Sequence, residues 1–168
     1  MTTCKPYVYM YLGLMLAIYA CTISKPRNPA NPTVKLSERL ELIKLSELKG
    51  KPIQLIDYLG KPVFLNFWAS WCGPCKNELE TIELVSGQFK NDIVFLIASD
   101  EDPDKISKYI SDNHFNLHFV HLDIPYIDAY IVKLPTTLLI DRSGNLQKEE
   151  EGFRIWTQPT SVEMLKKL

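Results

Sequence analysis

Val63-Phe64-Leu65-Asn66-Phe67-Trp68-Ala69-Ser70-Trp71-Cys72-Gly73-Pro74-Cys75-Lys76 is the stretch that decides the fold. Its first six residues are nearly all apolar, as in a strand buried on both faces. Asn66 interrupts that run. A buried amide needs partners, so Asn66 is either structural glue or close to the chemistry. From Pro74 to Phe89 the period changes. Leu79, Ile82, Val85 and Phe89 recur at helical spacing. At about 100° per residue, Cys75 and Glu78 fall on that same face, whereas Lys76, Asn77, Glu80 and Glu83 point elsewhere.

A C-x-x-C where a buried strand meets a helix has a physical use. The first helical turn leaves N–H groups free and carries partial positive charge. Both favour a thiolate at Cys72, so its pKa is expected below that of a free cysteine. Pro74 fits a first turn, where no N–H donor is needed. Cys75 is three residues on and on the inward face. It can close a short disulfide with Cys72 and act as the protected, resolving thiol. Half of a zinc site is the first rival, but no second C-x-x-C or H-x-x-H on a common face supplies the other ligands. An inert structural disulfide is the second, and a two-residue loop gains little from cross-linking.

Outward from this stretch, strands alternate with helices. Gly-Lys-Pro at 50–52 and 60–62 marks two turns. Between them Ile53, Leu55 and Ile56 predict a short strand, and Asp57 a capped helical turn ending at Gly60. Leu42 to Leu48 predicts a strand or turn before that. Ile93–Ala98 and Leu117–Leu122 read as buried strands. Asp100-Glu101-Asp102-Pro103-Asp104 reads as the acidic start of a helix running to about Asp112, in preference to a metal cluster. His118 and His121 face opposite sides of their strand and His114 stands alone, so no metal is expected. Ile124–Val132 predicts a short helix and Thr136–Ile140 a strand. A turn at Asp141-Arg142-Ser143-Gly144-Asn145 leads into an edge strand from Leu146 to Gly152. Pro159–Leu168 closes the chain as a helix. The expected class is α/β, a central mixed sheet flanked by helices.

The chain has 168 residues, 46% of them hydrophobic, enough for one domain with a real core. Nineteen basic against twenty acidic residues leave no excess to neutralise phosphates, so nucleic acid is not an expected partner. The amino terminus is read separately, as residues 1–20 of signal or anchor, 21–37 of tether and 38–168 of domain. Lys5 is the only charge before Lys25, and Tyr7 to Cys21 is apolar. This is the pattern of a secretory signal, a little short for a membrane span of about 20 apolar residues. Ile18-Tyr19-Ala20-Cys21 resembles the lipobox of bacterial lipoproteins, which implies cleavage before Cys21 and its lipidation. An uncleaved anchor and plain secretion are the alternatives. Pro26, Pro29 and Pro32 predict an extended tether after it. Every variant puts the domain outside the cytoplasm, facing the periplasm and tethered to a membrane in the first two.

Phe67 to Lys76, with Leu134-Pro135-Thr136-Thr137 and Leu139-Ile140-Asp141 downstream, resembles the thioredoxin superfamily. The signal-like start, the extension and Asn66 narrow this to the exported TlpA/ResA-like thiol–disulfide oxidoreductases, over about residues 38 to 168. The resemblance implies a thioredoxin-like fold with no cofactor. It makes Cys72 the attacking thiol and Cys75 the resolving one. Pro135 becomes a cis-proline shaping a substrate groove with Trp71, Gly73, Pro74 and Leu134, whose backbone pairs with a bound peptide. Asn66, Phe67 and Trp68 support the site. Glu78 matches an acid near the dithiol in ResA-like members. Its place on the burial face independently predicts a raised pKa and proton relay to Cys75. The rival is a surface Glu paired with a Lys.

Two departures matter. Typical thioredoxins have Asp where this chain has Asn66, which cannot titrate. ResA-like members often have an acid where this chain has Gly73, which leaves the direction of electron flow open. Gly-Pro between the cysteines leans toward the reducing end, near thioredoxin at about -270 mV. The family implies protein disulfide or thiol substrates, apocytochrome c thiols among them, and a CcdA/DsbD-type membrane electron donor. A peroxiredoxin needs Pro at Leu65 and Thr at Ala69, and neither is present. A non-catalytic thiol- or peptide-binding module is the remaining alternative.

Overall fold

The computed structural model describes residues 38–168. The expected signal, the lipidated Cys21 and the tether lie outside the described residues. From Glu38 the chain forms α1 (Glu38–Leu42), β1 (Leu45–Glu47), β2 (Pro52–Ile53), β3 (Val63–Phe67), α2 (Gly73–Phe89), β4 (Val94–Ser99) and α3 (Pro103–Asn113). It continues through β5 (Phe119–Leu122), β6 (Thr136–Ile140), β7 (Leu146–Glu151) and α4 (Pro159–Leu165). Short 3-10 turns at Leu55–Tyr58 and Tyr126–Ala129 join them.

The strands make one sheet in the order β2-β1-β5-β4-β3-β6-β7. β3, β4 and β5 run parallel, and the remaining pairs are antiparallel. This is the mixed α/β sheet expected from the sequence. The parallel pairs need crossovers, which α2 and α3 supply.

Side-chain alternation along β3 sorts the core into two layers. Phe64 and Trp68 join Leu79, Ile82 and Val85 of α2, Ile106 of α3 and Leu165 of α4. Val63, Leu65 and Phe67 face the other way, with Leu40 of α1, Leu55 and Ala129. Asn66 shares the parity of Phe64 and Trp68, so it belongs to the α2 side. Thr137 pairs with it across β6 and shares the parity of Leu139 on that same side.

Two local readings are corrected. The strand expected through Ile53, Leu55 and Ile56 stops at Ile53, and the helical turn begins at Leu55 with Gln54 as its cap. Asp57 lies inside the turn and does not cap it. Leu55 is buried in the layer of Val63, Leu65 and Phe67, and the turn that starts at it leaves Ile56 exposed. The helix α1 was not anticipated. Its five residues are too few for a period, and only Leu40 is buried.

Other elements match with trimmed ends. Asp102 caps α3, accepting from the Asp104 amide at 2.8 Å, with Pro103 at the first position. Asp141 organises the β6–β7 turn by accepting from the Ser143 and Asn145 amides. Gly144 has φ +81°, which suits that turn to glycine. β7 is an edge, as expected, and Lys148, Glu149, Glu150 and Glu151 run along it. Arg39 reaches it from α1 and holds both oxygens of Glu149.

Candidate active site

β3 ends at Phe67, and five residues later α2 begins. Cys72 is the N-cap of α2, and Pro74 sits in the first turn. The cap is a sulfur one: Cys72 Sγ accepts from the Cys75 amide at 3.3 Å. No acidic residue stands in that first turn to compete with a thiolate for the helix terminus. Cys72 and Cys75 are joined as a disulfide with Cα atoms 5.3 Å apart. Cys72 keeps 5% exposure and Cys75 1%, while neighbouring Trp71 is 67% exposed. A reagent from outside therefore meets Cys72 first. Gly73 has open space where a Cβ would stand.

Register brings the second landmark to this end of the sheet. Phe67 pairs with Thr136, so the residue before β6 lies beside the segment leaving β3. That residue is Pro135, and the Leu134–Pro135 peptide bond is cis. Leu134 packs on the core layer containing Cys72 and Cys75. The Pro135 carbonyl is taken by the Gly152 amide at 2.7 Å. Among the described residues, the Leu134 main chain has no hydrogen-bond partner. It is thus free to pair with an extended segment.

Glu78 lies one turn below Cys75 on the buried face of α2, with 1% exposure. This decides against a surface glutamate paired with lysine. The Trp156 indole N–H donates to Glu78 Oε1 at 2.6 Å. Oε2 is buried without a hydrogen-bond partner. Burial pushes the carboxyl up to about 7, against the opposing pull of the Trp156 hydrogen bond, the Arg154 main chain, the Asn66 amide and the Arg154 charge. Asn66 itself donates to Thr137 Oγ1 at 2.9 Å, which ties β3 to β6 behind the site.

Two supports escaped the sequence reading. Glu101, read only as part of a helix start, reaches back to the active-site loop. It accepts from the Ser70 amide at 2.6 Å and the Ser70 hydroxyl at 2.9 Å, and it pairs with Lys105. Burial opposes its charge, but the Lys105 and Ser70 hydrogen bonds hold its pKa below the ordinary carboxylate value. Tyr126 is the other. Its hydroxyl donates to the Trp68 carbonyl at 2.5 Å and meets Ser99 Oγ at 3.0 Å. Burial raises its pKa, keeping it a donor. Neither partner is near in sequence. The one available signal was a polar residue count at 99–101 exceeding what a helix cap requires.

The histidines are not brought together. His118 meets Glu47, and His121 meets Asp123. Among the described residues no group of three His, Cys, Asp or Glu side chains is placed to hold a metal. Nor is any described helix long and apolar enough to cross a membrane.

Residues 36–149 match the model of the AhpC/TSA family. The chain belongs to that family. It is 36% identical over 128 residues to thiol-disulfide oxidoreductase ResA of Bacillus thuringiensis subsp. konkukian, covering 74% of this chain and 73% of the relative. ResA of Bacillus subtilis is 37% identical over 112 residues, or 64% of this chain and 63% of the relative. The crystal structure of the exposed lipoprotein thioredoxin Etrx1 of Streptococcus pneumoniae superposes with a TM-score of 0.63 at 27% identity. That match spans 74% of this chain and 98% of the other. This family member is a thiol–disulfide oxidoreductase of ResA type with a thioredoxin-like fold, and Cys72 and Cys75 form its disulfide.

Proposed function

We propose that this oxidoreductase works outside the cytoplasm as a reductant of protein disulfides, with Cys72 attacking and Cys75 resolving. The single observation that carries the assignment of roles is the asymmetry of the pair. Cys72 caps the helix at the mouth of the site, and Cys75 is buried above a titratable carboxyl.

In the reduced protein, the Cys72 thiolate attacks one sulfur of a substrate disulfide. A mixed disulfide forms, and the other substrate sulfur leaves as a thiolate that takes a proton from solvent. Cys75 then passes its proton to Glu78 and attacks Cys72 Sγ. The Cys72–Cys75 disulfide closes, and the second substrate sulfur leaves. Two electrons have passed from dithiol to substrate. The Cys75 amide, which already points at Cys72 Sγ, stabilises the attacking thiolate at the start. Exposed Trp71 and the open main chain of Leu134 before Pro135 form the ledge on which a substrate segment lies, beside Gly73 and Pro74. Asn66 and Trp68 are buried on the dithiol side of β3, and Phe67 is buried on its opposite face.

Location and partners extend this reading. An apolar amino terminus ending in Cys21 supports export and a lipid anchor. The Etrx1 structure comes from an exposed lipoprotein. A reductant in an oxidising compartment must be recharged, which supports a CcdA/DsbD-type donor in the membrane. Apocytochrome c thiols are one substrate class this arrangement would serve. A peroxidase would need Pro and Thr where Leu65 and Ala69 lie sealed in the core.

Trapping tests the proposal. A Cys75→Ser variant should retain substrate proteins on Cys72 as mixed disulfides that reductant releases. Wild-type protein should reduce insulin, and Cys72→Ser should lose at least a hundredfold of that rate. Insulin reduction surviving in Cys72→Ser overturns the assignment.

A further inference from the structure

Trp156 lies 78 residues from Glu78, in the stretch between β7 and α4, and has no solvent exposure. An indole N–H in a core needs an acceptor. This one finds the Glu78 carboxyl, and the residue has further contacts of its own. Its main-chain N–H donates to Thr81 Oγ1 at 3.1 Å, and Thr81 donates to the Glu78 carbonyl. Phe64 meets its ring edge-to-face at 4.6 Å, and the Arg154 guanidinium lies 5.6 Å from its centroid. Trp156 is therefore held independently of the carboxyl it binds.

The groups facing Glu78 are few. On its own helix Cys75 lies one turn away on the same buried face, and Thr81 bonds the Glu78 carbonyl. Acting on the carboxyl are Asn66 from β3 and, from the segment after β7, Arg154 and Trp156. Arg154 carries the one full positive charge among them, and it is shared with Glu150. Asn66 also donates to Thr137. Of the hydrogen bonds that act on the carboxyl, the one from Trp156 is the largest, at 2.6 Å.

We propose that Trp156 is a positioning residue for the dithiol chemistry, holding Glu78 by Oε1 so that Oε2 exchanges the proton with Cys75. This rests on the reading of Glu78 as the proton acceptor. The step is Cys75 S–H with the Glu78 carboxylate giving the Cys75 thiolate and a carboxylic acid protonated at Oε2. No other reactant enters. An N–H donor favours the carboxylate, so Trp156 keeps Glu78 able to accept a proton near neutrality. It also prevents the carboxyl from rotating the protonated oxygen away from the sulfur.

The three tryptophans allow a direct test in unaltered protein. Trp71 is exposed, Trp68 has a buried N–H without a partner, and Trp156 binds Glu78. With 15N-labelled tryptophan and the disulfide closed, the Trp156 indole resonance should titrate with a midpoint near 7. The Trp68 and Trp71 resonances should stay flat through that midpoint. In Glu78→Gln the Trp156 inflection should vanish. Trp156→Phe should then move the inflection in the pH–rate profile of insulin reduction to a pH higher by about one, as loss of one charge-assisted bond implies. In a Glu78→Gln background it should move nothing. Benzothienylalanine at position 156 keeps the ring shape and lacks the N–H, and should shift the profile equally if Phe does not fold. A flat Trp156 resonance between pH 5 and 9 overturns the proposal. So does a profile unmoved by loss of the N–H. The resonance measurement needs no turnover, so it fails separately from the proposed function, which Cys72→Ser tests.

Discussion

Two glutamates flank the dithiol, and the molecule treats them in opposite ways. Glu78 is 1% exposed and Glu101 keeps 8% of its side chain exposed, so both are hidden. Glu101 accepts from Ser70 twice and pairs with Lys105, and its pKa falls. Glu78 is held by the Trp156 indole and leaves Oε2 unpartnered, and its pKa rises to about 7. Burial opposes the charge on both, and Glu78 lies the deeper. Depth on one side and a charged Lys105 partner on the other decide the outcome. One carboxylate stays ionised and holds the loop, and the other is free to change state.

The strongest challenge to this contrast is Glu78→Gln. The folded pKa of Glu78 lies above its unfolded value. Its contribution to stability is therefore complete below about 4.5 and disappears as pH rises through about 7. Near pH 8 the charged, buried form should penalise the fold by about 3 kcal/mol, since each tenfold change in an ionisation equilibrium is worth ~1.4 kcal/mol. Glutamine removes that penalty. Urea unfolding should find the variant more stable than wild type at pH 8, with that advantage gone at pH 4. An equal advantage at both values would mean Glu78 does not titrate in the fold.

Glu101→Ala probes the other member with the opposite sign. It strands the Ser70 amide and frees Lys105, and should cost about 2 kcal/mol at pH 7. Wild type should lose this contribution as pH falls below the ordinary carboxylate range, because its folded pKa is depressed. Ser70 amide exchange, followed by NMR, should accelerate in the variant with α4 amides unchanged. Protection retained at Ser70 would remove Glu101 from the loop.

The smallest effect comes from adding a third carboxylate. Gly73 has room for a side chain. Gly73→Glu places negative charge against the helix terminus that steadies Cys72. The Cys72 thiol pKa should rise by about half a unit, in line with the ~0.3–1 kcal/mol of a charge at a helix end. Iodoacetamide rates against pH in the reduced protein would read it.

The sequence made one member of this pair visible and hid the other. Glu78 lies on the same helical stripe as Cys75 and Leu79, and periodicity alone puts it inside. Glu101 sits among acids before Pro103, where local rules explain it fully as a helix start. Its bond to Ser70 crosses 31 positions and leaves no periodic trace. Trp156 is harder still, because it lies between β7 and α4 in a stretch with no regular period and its acceptor is on another element. The sheet was legible where strands are mostly apolar and buried throughout, as in β3 and β6. It was misread at Leu55, where two apolar residues serve a turn. The five residues of α1 gave no stripe to follow, since only Leu40 among them turns inward.

The two rims of the sheet carry a last consequence. One is β2, two residues long and begun by Pro52. The other is β7, where Glu149 pairs with Arg39 and Glu150 with Lys148 and Arg154. Neither offers a bare ribbon of amides on which a stranger's backbone can zip up. An oxidoreductase that acts on protein thiols is thereby kept from serving as a template for aggregation. What engages it does so through sulfur, and can let go again.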